Sequence, residues 1–142
     1  MKTDQTIFLI STARGVANAY LKQELRNYGL SGLAPTHGSI IFELLGREQM
    51  TMKELAAAIR RDKSTLTALI AKLESLGYVE RFNLAEDNRV SLVRLTKQGR
   101  ELREPFAAIS QGLVSIGLKE ISVSERRLLN RLLKKIISNF NE

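Results

Sequence analysis

The chain has 142 residues, 44% of them hydrophobic, and its 22 Lys and Arg outnumber 15 Asp and Glu for a net charge of +7. This length and apolar content fit one domain with an ordinary core and exclude a largely disordered chain. With no cysteine, one histidine and no apolar run of membrane-spanning length, the sequence excludes disulfides and thiolate metal sites, and it predicts a cytoplasmic protein without a membrane partner.

The positive charge is concentrated in the middle of the chain. Residues 51–103 hold eleven basic and seven acidic side chains, so they contribute +4 of the net +7. A basic surface attracts a polyanion such as DNA by counterion release. Charge by itself is equally compatible with a basic protein that binds no nucleic acid.

Two helices are predicted before residue 50. Apolar residues three, four or eight apart indicate a long amphipathic helix from about Asp4 to Gly29. Pro35 suits the first position of a second, short buried helix that ends at Gly46. His37 lies near the start of that helix, where a structural role is favoured over a ligand or a proton switch.

The next two helices form the pattern that is most informative about function. Thr51 and Glu54 fit a capping box that opens a third helix, and Asp62 can cap a fourth that ends at Gly77. Leucines and isoleucines on one face of the fourth helix leave small and polar residues on the other: Ser64, Thr65, Thr67, Ala68, Ala71 and Lys72. Two helices joined by a short turn, the second exposing polar groups, are typical of the helix-turn-helix DNA readers.

Past Gly77 the hydrophobic period changes from helical to alternating. Two short strands are predicted around residues 79–81 and 90–96, with a loop over residues 83–88 between them. A strand pair that directly follows such a helix is typical of a wing.

The C-terminal part of the chain is predicted to be helical. Thr96 can cap a helix that starts at Lys97, and Pro105 should kink or restart it. A second capping box at Ser122 opens a last helix, whose apolar residues continue to Phe140. The first and last helices have wide apolar faces, which a small winged domain cannot cover alone.

The wing and the helix after it carry a specific motif. Its positions are Asp87, Arg89, Leu95, Thr96 and Gly99. With this motif, residues 51–99 resemble the winged helix-turn-helix of the MarR family (multiple antibiotic resistance regulators), which has an Asp-x-Arg wing tip followed by Leu-Thr-x-x-Gly. The resemblance implies a mainly α fold with a two- to three-stranded β-wing. It implies a single domain over residues 1–142, with a DNA-binding core over 35–99 and a helical dimerisation layer from 4–30 and 100–142.

The resemblance also implies a function. We expect a transcription regulator, a repressor that binds double-stranded DNA at an inverted repeat as a homodimer, with no cofactor. In the family, a small and often aromatic effector commonly binds between the dimer layer and the winged domain and releases DNA; whether this chain binds such an effector, and which one, stays open at this point. The candidate DNA contacts are Arg61, Lys63, Ser64, Thr65, Thr67, Ala68, Lys72, Asp87 and Arg89. Arg89 is placed for the minor groove, and Asp87 is better suited to hold Arg89 than to touch DNA.

Two positions depart from the family pattern. Arg60 stands where the family often has a glycine after the third helix, and Ala68 stands where it often has a base-reading arginine. Without that arginine, Thr65, Thr67 and the Ala68 methyl group would favour thymine methyls, or DNA shape would contribute more of the specificity.

Other function classes fit less well. An enzyme is disfavoured, because there is no phosphate-binding glycine loop and each of the three aspartates has a helix-start or wing explanation. A metal-responsive repressor lacks cysteine and histidine ligands. The alternative that stays open is a winged-helix module for protein contact, whose basic face binds an acidic partner. Salt dependence and sequence preference on DNA would separate the two.

Overall fold

The computed structural model describes residues 3–141, so residues 1, 2 and 142 at the ends of the predicted domain lie outside the described residues. Within that part the elements are α1 (Thr6–Asn27), α2 (Pro35–Leu45), β1 (Met50–Thr51), α3 (Met52–Ile59), α4 (Lys63–Ser75), β2 (Val79–Asn83), β3 (Ser91–Leu95), α5 (Lys97–Arg100), α6 (Arg103–Gly117) and α7 (Val123–Phe140). The predicted fold class, mainly α with a small β-wing, is confirmed.

The sheet has three antiparallel strands in the order β1-β3-β2. The two-residue strand β1 was not predicted, because it is too short to show a period; Met50 pairs with Val93 and Thr51 with Leu92. Its pairing places β3 in the centre, where both Leu92 and Val93 are buried although they point to opposite faces. The predicted start of the wing loop is wrong by one residue, since Asn83 still belongs to β2 and pairs with Ser91 of β3.

Both capping boxes predicted from the sequence are present. The Thr51 hydroxyl accepts from the Glu54 N–H at 3.0 Å, while the Glu54 carboxylate accepts from the Thr51 N–H at 2.9 Å. Ser122 and Glu125 repeat this exchange at 3.2 and 2.9 Å at the start of α7. Each box satisfies amides that the first turn of a helix leaves free, which explains why α3 and α7 begin where they do.

Two glycines and one threonine join α4 to the wing and to α5. Gly77 has φ +84°, a left-handed conformation that ends α4 at little cost. The Thr96 hydroxyl donates to the Gly77 carbonyl at 2.6 Å and accepts from the Gly99 N–H at 3.1 Å. A Cβ on Gly99 would lie 2.1 Å from the carbonyl oxygen of Tyr78. The Leu-Thr-x-x-Gly motif therefore fastens α5 against the start of β2.

The hydrophobic core is centred on the helices and sheet between residues 35 and 95, and it extends to Leu25 of α1 and to Phe106 and Ile109 of α6. Its largest fully buried side chains come from α2, α3, α4 and β3: Ile40, Ile41, Leu44, Leu55, Leu66, Ile70, Leu73 and Val93. Met50 and Met52 are also buried there. The α6 helix begins anew at Arg103 with Pro105 in its first turn, where a missing amide donor costs little, so the predicted restart is confirmed.

The terminal helices are packed differently from the core. The α1 helix buries only Leu25 completely, and α7 buries none of its residues. Large apolar side chains therefore remain on the surface at both ends of the described chain. Within residues 3–141, no helix combines the length and the hydropathy that a bilayer crossing requires.

Candidate nucleic-acid interface

The start of α4 is held by one carboxylate. Asp62 accepts from the Thr65 N–H at 2.7 Å and from the Ser64 hydroxyl at 3.0 Å. The bond from the Thr65 amide is the main cause that lowers the pKa of Asp62 below its usual value. Asp62 thus stays ionised at the positive end of the helix dipole and determines where α4 begins.

Burial of three side chains fixes which face of α4 is free. Leu66, Ile70 and Leu73 are fully buried, so the opposite face is turned outward. The predicted contacts on that face are all exposed: Lys63, Ser64, Thr65, Thr67, Ala68 and Lys72. The Thr67 hydroxyl donates to the Lys63 carbonyl at 2.8 Å, so its proton is occupied within the helix. Thr67 therefore offers a ligand its methyl group and a hydroxyl acceptor, while Lys63 and Lys72 on the same face keep their ammonium donors.

The wing tip presents one exposed arginine that is hydrogen-bonded to a neighbouring carboxylate. The side chain of Arg89 is 91% exposed. The Asp87 carboxylate accepts from the Arg89 backbone N–H and Nε, both at 3.0 Å, and from Nη2 at 3.3 Å. These bonds, led by the side-chain one, lower the pKa of Asp87. The predicted contact between the two residues is confirmed, while their roles toward DNA stay predictions.

Two further wing arginines were not selected from the sequence. Arg94 on β3 lies with its guanidinium 4.4 Å from the centre of the Phe82 ring and is paired with Glu80. Arg81 on β2 is exposed and forms no ion pair within residues 3–141. Its place on a strand beside the wing tip was visible in the alternating pattern, but only the sheet shows that it faces solvent.

His37 acts as a helix cap. Its Nδ1 accepts from the Ala34 N–H at 3.0 Å at the start of α2, and the residue is half-buried. Because Nδ1 accepts, the neutral ring carries its proton on Nε2. Burial, and to a lesser extent the charge of Lys72, lowers the pKa of His37 from its usual 6.5. The predicted structural role of this histidine is confirmed.

The turn between α3 and α4 requires an unusual backbone conformation. Arg60 has φ 55° and ψ 49°, the left-handed region that glycine adopts freely. For a residue with a Cβ this conformation costs roughly 1–2 kcal/mol. The Arg61 N–H donates to the Ala56 carbonyl at 3.0 Å and closes the end of α3. The family's usual glycine therefore has a geometric reason at this position, and Arg60 occupies it at a cost.

A cavity of about 660 Å³ lies between this turn and the helices α1, α2 and α6. Its wall includes Phe42, Glu43 and Phe106, together with three arginines: Arg14, Arg60 and Arg61. Within residues 3–141 none of these arginines forms an ion pair, so the cavity carries excess positive charge. The sequence does not reveal that these residues share a cavity, because they come from parts of the chain that only folding brings together.

The described residues form an exposed polar face on α4, an exposed arginine at the wing tip and a cavity with excess positive charge. Across residues 3–141, no group of three His, Asp or Glu side chains is placed to hold a metal ion. Arg61 lies in the turn, Lys63 to Lys72 follow along α4, and Asp87 with Arg89 form the wing tip. The predicted contacts thus fall on three neighbouring segments.

Comparison with known proteins agrees with this geometry. A model of the MarR family matches residues 33–91. The transcriptional regulator SarZ of Staphylococcus haemolyticus is 34% identical over 107 residues, which are 75% of this chain and 71% of SarZ.

Solved structures share the fold. A mutant of MarR from E. coli complexed with operator DNA aligns with a TM-score of 0.83 at 24% identity, over 96% of this chain and 99% of that one. BpsR of Bordetella bronchiseptica, whose DNA binding is regulated by 6-hydroxynicotinic acid, aligns with a TM-score of 0.82 at 21% identity, over 94% and 98%.

Proposed function

Because the chain belongs to the MarR family of winged helix-turn-helix transcription regulators, which bind DNA, we propose that it is a homodimeric repressor of an inverted-repeat operator. Its relatives are transcription regulators and not enzymes. Its relatives are bacterial regulators, and in bacteria DNA lies in the cytoplasm, so the cytoplasm is its proposed location. The observation that carries the proposal is the exposed polar face of α4 beside a fixed wing-tip arginine.

In the proposed complex, α4 enters a major groove and the wing lies along the adjoining minor groove. Thr65, Thr67 and Ala68 face the base edges, where their methyl groups suit thymine. Lys63 and Lys72 neutralise phosphates. Arg89 enters the minor groove, whose negative potential is highest where the groove is narrow. Asp87 limits the rotamers of Arg89, which lowers the entropy lost on binding.

The homodimer is supported by the apolar surface of the terminal helices. On α7 most of the apolar residues are exposed: Val123, Leu128, Leu129, Leu132, Ile137 and Phe140. At the start of α1, Ile7, Phe8 and Leu9 are exposed as well. A surface of this kind favours a partner, and a second copy supplies the two-fold symmetry that an inverted repeat needs.

An effector is supported by the cavity. Two phenylalanines can contact an aromatic ring, and three arginines can balance a carboxylate, so an aromatic acid is the proposed class of ligand. The ligand of BpsR, 6-hydroxynicotinic acid, belongs to that class. The proposed effector would weaken operator binding because it would bind more tightly to an arrangement of the dimer that does not fit the operator.

Selection of bound sequences from random duplex DNA tests the proposal. The expected result is an inverted repeat whose half-site centres are about 10–10.5 base pairs apart, or a multiple of one helical turn. Binding should weaken steeply with salt, as phosphate contacts require. A selected site without two-fold symmetry would contradict the dimeric mode. Failure to enrich any sequence would instead favour a winged-helix module that binds an acidic protein.

A further inference from the structure

Arg60 and Arg61 belong to two features of the fold at once. They form the turn between α3 and α4, and Arg61 directly precedes Asp62, the N-terminal cap of α4. The same two residues line the cavity between this turn and the helices α1, α2 and α6. The residues that directly precede the proposed DNA-facing helix are therefore also residues that an occupant of the cavity would meet.

The charges of both residues are available for an external partner. Within residues 3–141 neither guanidinium forms an ion pair, and the one hydrogen bond of Arg61 Nη1 is a 3.5 Å contact with the Arg60 carbonyl. Arg60 is exposed and Arg61 is half-buried. Guanidinium groups bind the oxygens of phosphates and of carboxylates with the same bidentate geometry. A phosphate or a carboxylate could each bind the guanidinium groups of Arg60 and Arg61, but one guanidinium group cannot bind both ligands fully at the same time.

The backbone adds an argument for Arg60. A left-handed residue at the end of a helix is normally glycine, and Arg60 holds φ 55° in spite of its Cβ. Backbone strain of this kind persists where the side chain makes a favourable interaction. Among the described residues no carboxylate pairs with the Arg60 side chain, so a structural ion pair does not account for the strain.

We propose that Arg60 and Arg61 are a coupling pair, which binds DNA phosphates when the cavity is empty and an organic carboxylate when it is filled. Effector and operator then compete for the same two guanidinium groups in each protomer. This inference rests on the proposed function, because it requires that the protein binds DNA. Competition for the two arginines would release DNA in addition to any release that a change in the spacing of the two winged domains causes.

The test uses the full chain, an operator obtained by selection, and benzoate as the probe, with benzamide as its neutral control. The coupling variant is the double substitution Arg60→Gly and Arg61→Gln, in which glycine suits the left-handed backbone and so preserves the turn. The matched variant is Arg14→Gln, which removes an arginine from the same cavity but on α1. Calorimetry measures benzoate binding, and fluorescence anisotropy measures the operator affinity as a function of salt.

In the wild type, benzoate should weaken operator binding and make the salt slope shallower, by about 0.9 units for each phosphate that is no longer neutralised and so roughly two units per protomer. The double variant should show this shallower slope without benzoate, bind benzoate at least about tenfold more weakly, and give no further response. Arg14→Gln should weaken benzoate binding but keep the wild-type slope. Benzamide should have no effect on any of the three proteins.

Several outcomes would overturn the coupling pair. One is a wild-type salt slope in the double variant, which would mean that the two arginines do not touch DNA. Another is an undiminished response of that variant to benzoate. A third is a wild type that binds its operator but does not respond to benzoate up to the solubility limit. Each of these leaves the proposed function intact, whereas a wild type that binds no DNA at all would overturn both. Melting temperatures of the variants that are no lower than that of the wild type, in the absence of ligand, show that the turn still folds.

Discussion

Arg89 combines high exposure with an orientation that Asp87 holds, and this combination predicts the effect of its removal. Arg89→Ala should weaken operator binding by about 1–3 kcal/mol, because no side chain then reaches the minor groove while the packing of the wing stays the same. Anisotropy titration at matched salt measures it. Arg127→Ala, an exposed arginine on α7, is the control for the removal of one charge. Equal affinities for wild type and Arg89→Ala would remove the wing from the mechanism.

His37 is the only histidine of the chain and should give stability a pH dependence of its own. Since its pKa is lowered in the folded protein, the unfolded chain takes up the proton first as the pH falls. The contribution of His37 is therefore complete above about pH 6.5 and is lost as the pH falls from there toward the folded pKa. Protonation of Nδ1 would also break the bond from the Ala34 N–H.

This pH dependence can be separated from that of the acidic groups. The carboxylates with lowered pKa, such as Asp62 and Asp87, lose their contributions only below about pH 4.5. His37→Gln keeps an acceptor but does not titrate, so its denaturation midpoint should stay constant between about pH 6.5 and 5, where that of the wild type falls. A parallel decline in both proteins would assign the effect to other groups.

At the scale of the elements, the short helix α5 depends on close contact with the start of β2. Gly99→Ala places a Cβ against the Tyr78 carbonyl, and backbone cannot move away as a flexible side chain could. We expect a loss of about 1–3 kcal/mol in the free energy of unfolding, as for other overpacked sites, measured by urea denaturation. Gly117→Ala is the control, since a Cβ there meets nothing within 4 Å. Equal losses for the two variants would contradict this account of the Leu-Thr-x-x-Gly motif.

At the scale of the whole molecule, α7 predicts a test of the dimer. Leu132 is 42% exposed in the protomer, so Leu132→Lys should leave the protomer folded and place a charge in the proposed interface. Sedimentation should show a dissociation constant raised at least about tenfold, a cost above roughly 1.4 kcal/mol. Ser138→Lys adds the same charge at an exposed polar position of α7 and should leave the dimer intact. An undiminished dimer in Leu132→Lys would place the interface elsewhere.

Much of this protein was determined by its sequence alone. The capping boxes at Thr51 and Ser122, the cap at Asp62 and the outward face of α4 were predicted correctly. Each depends on residues three or four apart, whose interactions hardly change with the rest of the fold. The motif from Asp87 to Gly99 likewise indicated the wing and the family. The same local information places the candidate DNA contacts, although their roles remain to be tested.

Only the tertiary structure decided the rest, because it depends on residues that are distant in the chain. The strand β1 exists because Met50 and Thr51 meet β3 more than forty residues later. The cavity exists because α1, α2 and α6 converge on the turn at Arg60 and Arg61, which directly precedes α4. No periodicity within one element carries such information, since the partners of a side chain across the core are chosen only when the elements pack.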